Sequence, residues 1–293
     1  KGVGHFTTRQ NVQFNWIPLE KSADVMDLLA SVDMHGIQTS GNCIRNITTD
    51  ERAGIAVDEV ADPRPFAEIL RQWSTLHPEF AFLPRKFKIA ISGATSDRAA
   101  TLVHDIGLVA LKDAAGNIGF RVAVGGGLGR TPIVGTVIRD FVPWQHLITY
   151  LEAILRVYNR LGRRDNKYKA RIKILVKALT PQVFAEKVEA EFAQIQASGA
   201  QPVDPALMQA LEAQFAPPAY AALRDVDLSV EGQRDPRFAQ WLRHNTHAHQ
   251  VPGYRLVTVS LKRAGVAPGD LTSAEMRLIA DLADQYSLGE LRT

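Results

Sequence analysis

Residues 84–92 read Pro-Arg-Lys-Phe-Lys-Ile-Ala-Ile-Ser, and this stretch decides the fold class. Its large apolar side chains occupy alternate positions, which predicts a strand over 84–92 whose apolar face carries Phe87, Ile89 and Ile91. Lys86 and Lys88 fall together on the opposite side of that strand. Like charges this close repel each other unless an anion lies between them, although lysines also protect edge strands from aggregation.

The rest of the chain alternates between strand-like and helix-like patterns. Side-chain alternation predicts further strands at 6–16, 107–111, 118–124 and 254–262. Helical spacing predicts helices at 22–33, 144–161, 165–178, from Thr180 onward, and at 273–286. Ser22 or Asp24 is the expected N-cap of the first helix, and residues 272–275 read as a capping box for the last. The order of elements predicts an α/β (α+β) fold, with mixed sheets and helices packed on one side.

Composition bounds the class of protein. Of 293 residues, 34 are Lys or Arg and 31 are Asp or Glu, and the basic ones do not form a single block, so no nucleic-acid partner is predicted. No apolar run approaches the length that spans a bilayer, so no membrane partner is predicted. Cys43 is the single cysteine, which excludes an internal disulfide and any cysteine-ligated iron–sulfur cluster made by this chain alone. A reducing cytoplasm is the expected compartment.

Two polar segments suit the wall of a ligand site. One face of the predicted strand 6–16 carries no Lys or Glu, which is unusual for a solvated face; its residues are Thr7, Arg9, Asn11, Gln13 and Asn15. Residues 39–46 read Thr-Ser-Gly-Asn-Cys-Ile-Arg-Asn and place Arg45 among small and polar residues. A guanidinium offers a planar fork of donors to a carboxylate or an oxyanion. A solvated sheet face and a surface turn are the alternative interpretations.

Three further features are weaker indications of a functional site. Residues 125–129, Gly-Gly-Gly-Leu-Gly, follow a strand but fit neither nucleotide-binding loop pattern, so these glycines allow close approach of the backbone to a flat ligand or to another chain segment. His244, His247 and His249 have no cysteine or carboxylate pair beside them, and no metal site is predicted there. Cys43 has no partner His beside it, so a small buried side chain is expected rather than a nucleophile.

Taken together, four segments resemble the nitrite/sulfite reductase family in both order and spacing; they are residues 7–14, 39–46, 83–88 and 124–128. The resemblance covers essentially the whole chain. It implies an enzyme of two similar halves with sirohaem between them, bridged through a cysteine sulfur to a 4Fe-4S cluster. The family's cluster cysteines and an upstream substrate-binding arginine have no counterpart here. We therefore expect the natural protein to continue beyond Thr293 and this chain alone to be inactive.

The resemblance also implies roles for individual residues. Arg45, Lys86 and Lys88 correspond to residues that face the distal side of the sirohaem iron, where they bind the oxyanion and relay protons. Arg171 and Lys173, on the predicted basic helix, are further candidates for the tetrapyrrole carboxylates. No residue of the chain is expected to ligate a metal. The other expected sirohaem-binding residues are Thr7, Arg9, Gln13, Asn15 (where some relatives have His), Asn46, Arg85, Gly125, Gly126 and Gly127.

The same resemblance implies a division into domains. Residues 1–52 are expected to be a ferredoxin-like half-domain, truncated at its N-terminus, and residues 53–198 the sirohaem-binding domain. Residues 199–240, rich in Pro, Gly, Gln and Asp around one short helix, are predicted to be a linker. Residues 241–293 are expected to begin a second ferredoxin-like half-domain.

The implied function is the six-electron reduction of sulfite to sulfide in sulfur assimilation, with ferredoxin or a flavoprotein reductase as electron donor. Lys88 favours sulfite, because ferredoxin-dependent nitrite reductases tend to carry Asn at this position. Reduction of nitrite to ammonia is the first alternative. More distant alternatives are a precorrin-processing oxygenase and a non-catalytic module that binds tetrapyrroles, other anions or nucleic acid.

Overall fold

The computed structural model describes residues 2–293 and confirms the α+β class. Within that range there are nine strands and nine α-helices, numbered in chain order. The strands are β1 Val3–Phe6, β2 Val12–Phe14, β3 Ile89–Ser92, β4 Ile106–Lys112, β5 Ile118–Val124, β6 Thr136–Pro143, β7 Thr246–Ala248, β8 Arg255–Val257 and β9 Asp270–Thr272. The helices are α1 Ser22–Ala30, α2 Pro63–Ser74, α3 Leu147–Leu161, α4 Ile172–Leu179, α5 Pro181–Ala197, α6 Pro205–Gln214, α7 Ser229–Arg234, α8 Pro236–Asn245 and α9 Ser273–Tyr286.

The chain divides into two compact units. The first unit comprises the residues up to Gly36, Ile55–Val57 and Pro217–Thr293, and the second comprises Ile37–Gly54 and Asp58–Ala216. This division differs from the predicted domains, since residues 37–52 group with the second unit and 217–240 with the first. The family-domain boundaries stay predictions.

The second unit is built on a four-stranded sheet of order β3-β4-β5-β6. β3 is parallel to β4, and the remaining pairs are antiparallel. All four residues of β3 are buried. Residues 44–48 pair with its outer edge through the parallel bridge Thr48–Ala90, and with the segment before it through the parallel bridge Ile44–Phe87. The strand predicted over 84–92 is shorter in the structure, where only residues 89–92 form a regular strand. Its leading part, 84–88, pairs with residues 43–45 instead of lying on an open edge.

Helices cover the apolar face of this sheet and form the core. The shared core includes Phe66, Phe87, Ile89, Leu108, Phe120, Tyr150, Ile154 and Phe184. α3 follows a 3₁₀ turn at Trp144–His146 and ends at Gly162, as the sequence predicts for 144–161. α5 begins where a helix was predicted, with Thr180 as its N-cap: Thr180 Oγ1 accepts a hydrogen bond from Val183 N–H at 3.4 Å.

Some elements differ from the prediction for local reasons. The helix predicted over 165–178 begins only at Ile172, because Asn166 forms a local turn by accepting hydrogen bonds from Tyr168 N–H and Lys169 N–H. α2 was not predicted; its N-cap is Asp62 and its first helical residue is Pro63. β6 was not predicted either, and the segment 199–240, predicted as a linker around one short helix, contains α6, α7 and the first half of α8.

In the first unit the chain reverses where one continuous strand was predicted, so the prediction of a strand over 6–16 is wrong. β1 and β2 are antiparallel and joined by a turn over residues 7–11. Thr7 N–H donates to Asn11 O at 2.9 Å, and Gln10, at φ +55°, donates its N–H to Thr7 O at 3.1 Å. The polar turn continues the alternation of side chains, so the pattern does not distinguish a hairpin from one strand.

Two helices of the first unit test the predicted caps. The capping box before α9 is confirmed: Thr272 Oγ1 accepts from Glu275 N–H at 3.2 Å, and Glu275 Oε2 accepts from Thr272 N–H at 2.8 Å. α1 ends at Ala30 rather than residue 33 and follows Lys21 without a side-chain cap. Neither predicted N-cap acts as one, since Ser22 Oγ donates to Leu19 O and Asp24 pairs with Lys21. The strand predicted over 254–262 shortens to β8.

Among residues 2–293, no helix is both long and apolar enough to cross a bilayer.

Candidate functional site

The two predicted basic segments of the second unit lie side by side. Arg45 N–H donates to Phe87 O at 2.7 Å, and Phe87 N–H donates to Cys43 O at 3.0 Å. This parallel pairing places Arg45 beside the segment that carries Lys86 and Lys88. The Arg45 guanidinium is held in place because Nε donates to Gln38 O at 3.2 Å and Nη2 donates to Thr39 O. Backbone pairing, which the sequence did not predict, therefore brings the three expected oxyanion-binding residues together.

Lys86 lies in a group of positive charges. Burial lowers the pKa of Lys86, and the neighbouring charges of Arg171, Arg45 and Arg85 lower it further, while the Asp105 carboxylate acts in the opposite direction. Lys86 makes no ion pair with any residue in the described range 2–293. Such a side chain suits binding an anion, and its lowered pKa makes it a better proton donor than an ordinary lysine.

A buried carboxylate joins this cation group to the rest of the unit. The Asp105 side chain is fully buried at the start of β4. Its Oδ1 accepts from Arg171 Nε at 3.0 Å and Nη2 at 2.7 Å, and its Oδ2 accepts from Arg171 Nη2 and from Lys88 N–H, both at 2.8 Å. Burial raises the pKa of Asp105, and Arg171 and the Lys88 amide oppose that rise. Every one of these side-chain contacts is an N–H donor, the pattern of an ionised carboxylate.

The two basic residues predicted on the next helix are also engaged inside the protein. Arg171 immediately precedes α4 and makes the bidentate contact with Asp105 just described. The Lys173 ammonium donates to the carbonyls of Gly127, Leu128 and Thr131, at 3.4, 3.0 and 2.6 Å. These three contacts use the full donor capacity of an ammonium. In this arrangement Lys173 stabilises the loop after β5, and its role towards tetrapyrrole carboxylates stays a prediction.

The glycine loop is explained in part by packing within the protein. A Cβ on Gly126 would lie 2.3 Å from Leu102 O and 2.6 Å from His104 O, so only glycine fits against that segment. Gly125 has φ +78°, and its N–H donates to Asp105 O at 3.0 Å. Of the two explanations for these glycines, close approach of another chain segment accounts for Gly126. Contact of Gly125, Gly126 or Gly127 with a cofactor stays a prediction.

The remaining predicted cofactor-binding residues lie in two places. Asn46 and Arg85 belong to the same two paired segments as Arg45 and Lys86, and both are half-buried. The other four belong to the first unit: Thr7 and Arg9 in the hairpin turn, Gln13 in β2 and Asn15 after it. The idea that these four share one face of a single strand is wrong, because the turn separates Thr7 and Arg9 from Gln13. Their roles towards sirohaem stay predictions.

Cys43 and the histidine cluster, for which no catalytic or metal-binding role was predicted, make hydrogen bonds within the protein. Cys43 is partly exposed rather than buried, its Sγ donates to Ser40 O at 3.2 Å, and burial raises the pKa of its thiol, while Arg45 lowers it. His249 Nδ1 accepts from Val251 N–H at 2.9 Å. Within residues 2–293, no group of three or more His, Cys, Asp or Glu side chains is arranged to hold a metal ion.

Asp105 is the residue of this site that sequence reasoning missed. It immediately precedes an apolar strand, Ile-Gly-Leu-Val-Ala-Leu, and follows His104 in a segment that looks like a plain strand boundary. A lone acid next to a buried strand is a signal in itself, because a buried carboxylate needs cationic or N–H partners. That signal would have indicated a partner, although not Arg171 in particular.

One family model covers the part of the chain that contains this site. The family described as "Nitrite and sulphite reductase 4Fe-4S domain" matches residues 40–196, which is more than half of the chain. The chain belongs to the nitrite and sulphite reductase family. The matched region contains both paired basic segments, the glycine loop, Asp105 and Arg171.

Two curated relatives show how far the similarity extends. "Sulfite reductase [ferredoxin] 1" of Mycolicibacterium paratuberculosis is 34% identical over 192 residues, covering 66% of this chain and 34% of that protein. "Assimilatory ferredoxin-dependent nitrite reductase" of Haloferax mediterranei is 28% identical over 293 residues, covering 98% of this chain and 45% of that protein. The chain thus spans between about a third and a half of the length of these relatives.

The fold is shared with a solved structure. The Mycobacterium tuberculosis NirA protein superposes with a TM-score of 0.71 at 24% identity, covering 97% of this chain and 45% of that one. At this identity the likeness concerns the fold, which confirms the mixed α/β architecture.

The donor set fits the carboxylate-rich tetrapyrrole that the family implies. Arg45, Arg85, Lys86 and Lys88 come from two adjacent segments, and the carboxylate facing them, Asp105, is already neutralised by Arg171. Positive charges gathered at this density favour a polyanion. This chain cannot by itself supply cysteine ligands for a whole 4Fe-4S cluster, since Cys43 is the only cysteine of the sequence.

Proposed function

We propose that the full-length protein containing this chain is a sirohaem-dependent reductase that converts sulfite to sulfide, with ferredoxin as electron donor. The observation that supports it most is the group of cations around Lys86, assembled by pairing of residues 43–45 with 85–87. A site of this charge attracts a small oxyanion. The names of the relatives, a ferredoxin-linked sulfite reductase and a ferredoxin-dependent nitrite reductase, suggest which oxyanions and which donor.

The residues of this chain contribute binding and protons. Arg45 is fixed by two backbone carbonyls, so its remaining donors meet an oxyanion without first losing side-chain freedom. Each oxygen that leaves sulfite departs as water and needs protons. Lys86 supplies them, because burial and three nearby arginines lower its pKa and make proton release easier. Sirohaem and the linked cluster, when bound, would carry the electrons from ferredoxin to the substrate.

Nitrite is the second proposed substrate, and one comparison favours it. The nitrite reductase relative aligns with 98% of this chain, whereas the sulfite reductase relative aligns with 66% at higher identity. The same cations would bind nitrite, and its oxygens also leave as water. Lys88 is the argument for sulfite, because an added positive charge favours the more highly charged anion.

The test uses the full-length protein purified with its cofactors. We expect a tetrapyrrole absorption spectrum and turnover of sulfite with reduced ferredoxin. Lys86→Met should lower kcat by about 100-fold or more, the typical loss when a proton donor is removed. Lys187→Met, on the exposed side of α5, is the matched control and should leave turnover unchanged. Absence of both tetrapyrrole absorption and turnover of either anion would refute the proposal.

A further inference from the structure

Three segments of the second unit meet at one buried residue, Asp105. The Asp105 side chain accepts from Lys88 N–H and from Arg171, and its backbone carbonyl accepts from Gly125 N–H at 3.0 Å. Lys88 N–H belongs to the segment with the lysine pair, Arg171 precedes α4, and Gly125 opens the glycine loop. These contacts lie inside the protein and involve no ligand. One residue thus sets the relative positions of three segments that carry the predicted site residues.

The same carboxylate also sets the charge of the site. Arg171 and Asp105 both lie close enough to Lys86 to change its pKa: Arg171 lowers it and Asp105 raises it. Without Asp105, Arg171 would present its full positive charge to Lys86. The bidentate contact at 2.7–3.0 Å pairs the two charges inside the protein. Coulomb interactions at this range are strong in a medium that excludes water. An anion entering the site therefore meets Arg45, Arg85 and the two lysines without the full charge of Arg171.

We propose that Asp105 is the positioning residue of this cation site: it holds the lysine segment, Arg171 and the glycine loop in one arrangement and, by neutralising Arg171, fixes the net charge that an anion meets at Lys86. The inference rests on the proposed function only for the identity of the anion. The arrangement of charges is a property of this chain and is testable without cofactor or turnover.

The test follows the ionisation of Lys86 in the 293-residue chain. Lysines labelled with ¹³C at Cε are titrated by NMR, and Lys86→Arg assigns the Lys86 signal. In Asp105→Asn, Arg171 stays charged without its partner, so Lys86 should lose its proton at lower pH than in the parent. In Arg171→Met, Lys86 should lose its proton at higher pH. In the double variant both charges are gone, and the titration should return close to that of the parent.

Opposite shifts that cancel in the double variant are not produced by structural damage. Asp50→Asn is the matched control, since Asp50 is also a buried carboxylate of the second unit and is paired with Arg98 at 3.3 Å. It should lower the melting temperature and leave the Lys86 titration unchanged. If Asp105→Asn does not fold, Arg171→Met and the neutral double variant still have to differ as stated, and Arg171→Lys should restore the parent titration.

A second readout uses inorganic sulfate as the probe. Sulfate should bind Asp105→Asn several-fold more tightly and Arg171→Met several-fold more weakly than the parent, as measured by calorimetry at constant ionic strength. If the Lys86 titration and the sulfate affinity are the same in all variants while stability falls, Asp105 is merely structural and the proposal is overturned. That outcome would leave the proposed reductase function standing. Conversely, a protein that shows these shifts but reduces neither sulfite nor nitrite would refute only the proposed function.

Discussion

Lys88 lies one residue before β3, and its backbone N–H is tied to Asp105 Oδ2 at 2.8 Å. Because the backbone is fixed independently of the side chain, Lys88→Asn should remove a charge without moving the segment. Sulfite carries up to two negative charges near neutral pH and nitrite one, so loss of a cation weakens sulfite binding more. We expect the full-length Lys88→Asn enzyme to lose more kcat/KM for sulfite than for nitrite.

The matched control for that experiment is Lys112→Asn, which removes an exposed lysine at the end of β4. It should change neither substrate. Equal losses on sulfite and nitrite in Lys88→Asn would remove the argument for sulfite.

At the level of single residues, the sequence predicted which side chains carry charge but not which ones are already paired. Arg45, Lys86 and Lys88 stood out by type and spacing, and the structure brings them together. Arg171 and Lys173 were weaker candidates from the sequence, and one is bound to Asp105 and the other to loop carbonyls. Pairing of this kind depends on contacts between distant segments, which periodicity does not encode.

At the level of elements, local chemistry was the most reliable guide. The box Thr272-Ser273-Ala274-Glu275 specifies its own geometry, because both hydrogen bonds close within four residues. The start of one helix at Thr180 and the end of another at residue 161 were also predicted from local signals, and both are confirmed. The hairpin at residues 7–11 was not, since its turn lacks the Gly or Asn-Gly signal and the alternation runs through it. α2 was missed although Asp62 and Pro63 form a typical helix start.

The capping box supports a prediction about α9. Thr272→Ala removes the acceptor of Glu275 N–H and should destabilise the helix start by about 1 kcal/mol. Amide exchange at Glu275 should then become roughly five-fold faster, measured by hydrogen–deuterium exchange. Thr258→Ala, at an exposed position of the same unit, is the control and should leave that amide unchanged. Equal exchange in both variants would show that the box does not stabilise α9.

Positive and negative charges nearly balance across the whole sequence, but one region has an excess of positive charge. The net charge is +3, yet Arg45, Arg85, Lys86 and Lys88 gather in the second unit around a carboxylate that is already paired. Mutual repulsion among these cations destabilises the native state, and any anion that binds there relieves it. The sequence predicted this imbalance from the lysine spacing. The extent of the two compact units could not be predicted, because residues 37–52 join the second unit through pairing with the segment before β3 and with β3 itself.

The imbalance predicts that sulfate stabilises the 293-residue chain. A ligand that binds only the native state adds RT ln(1 + [L]/Kd), about 1.4 kcal/mol for each ten-fold rise in sulfate above Kd, so the melting temperature should climb steadily along a sulfate series. Ionic strength is held constant with chloride, so that general screening does not change. Lys86→Ala/Lys88→Ala should respond much less than the parent, because these two ammonium groups create the site. Lys112→Ala/Lys187→Ala removes the same charge from exposed positions of the same unit and should respond like the parent. A lysine-pair variant that gains as much stability as the parent would place the anion site elsewhere and refute the assignment of Lys86 and Lys88.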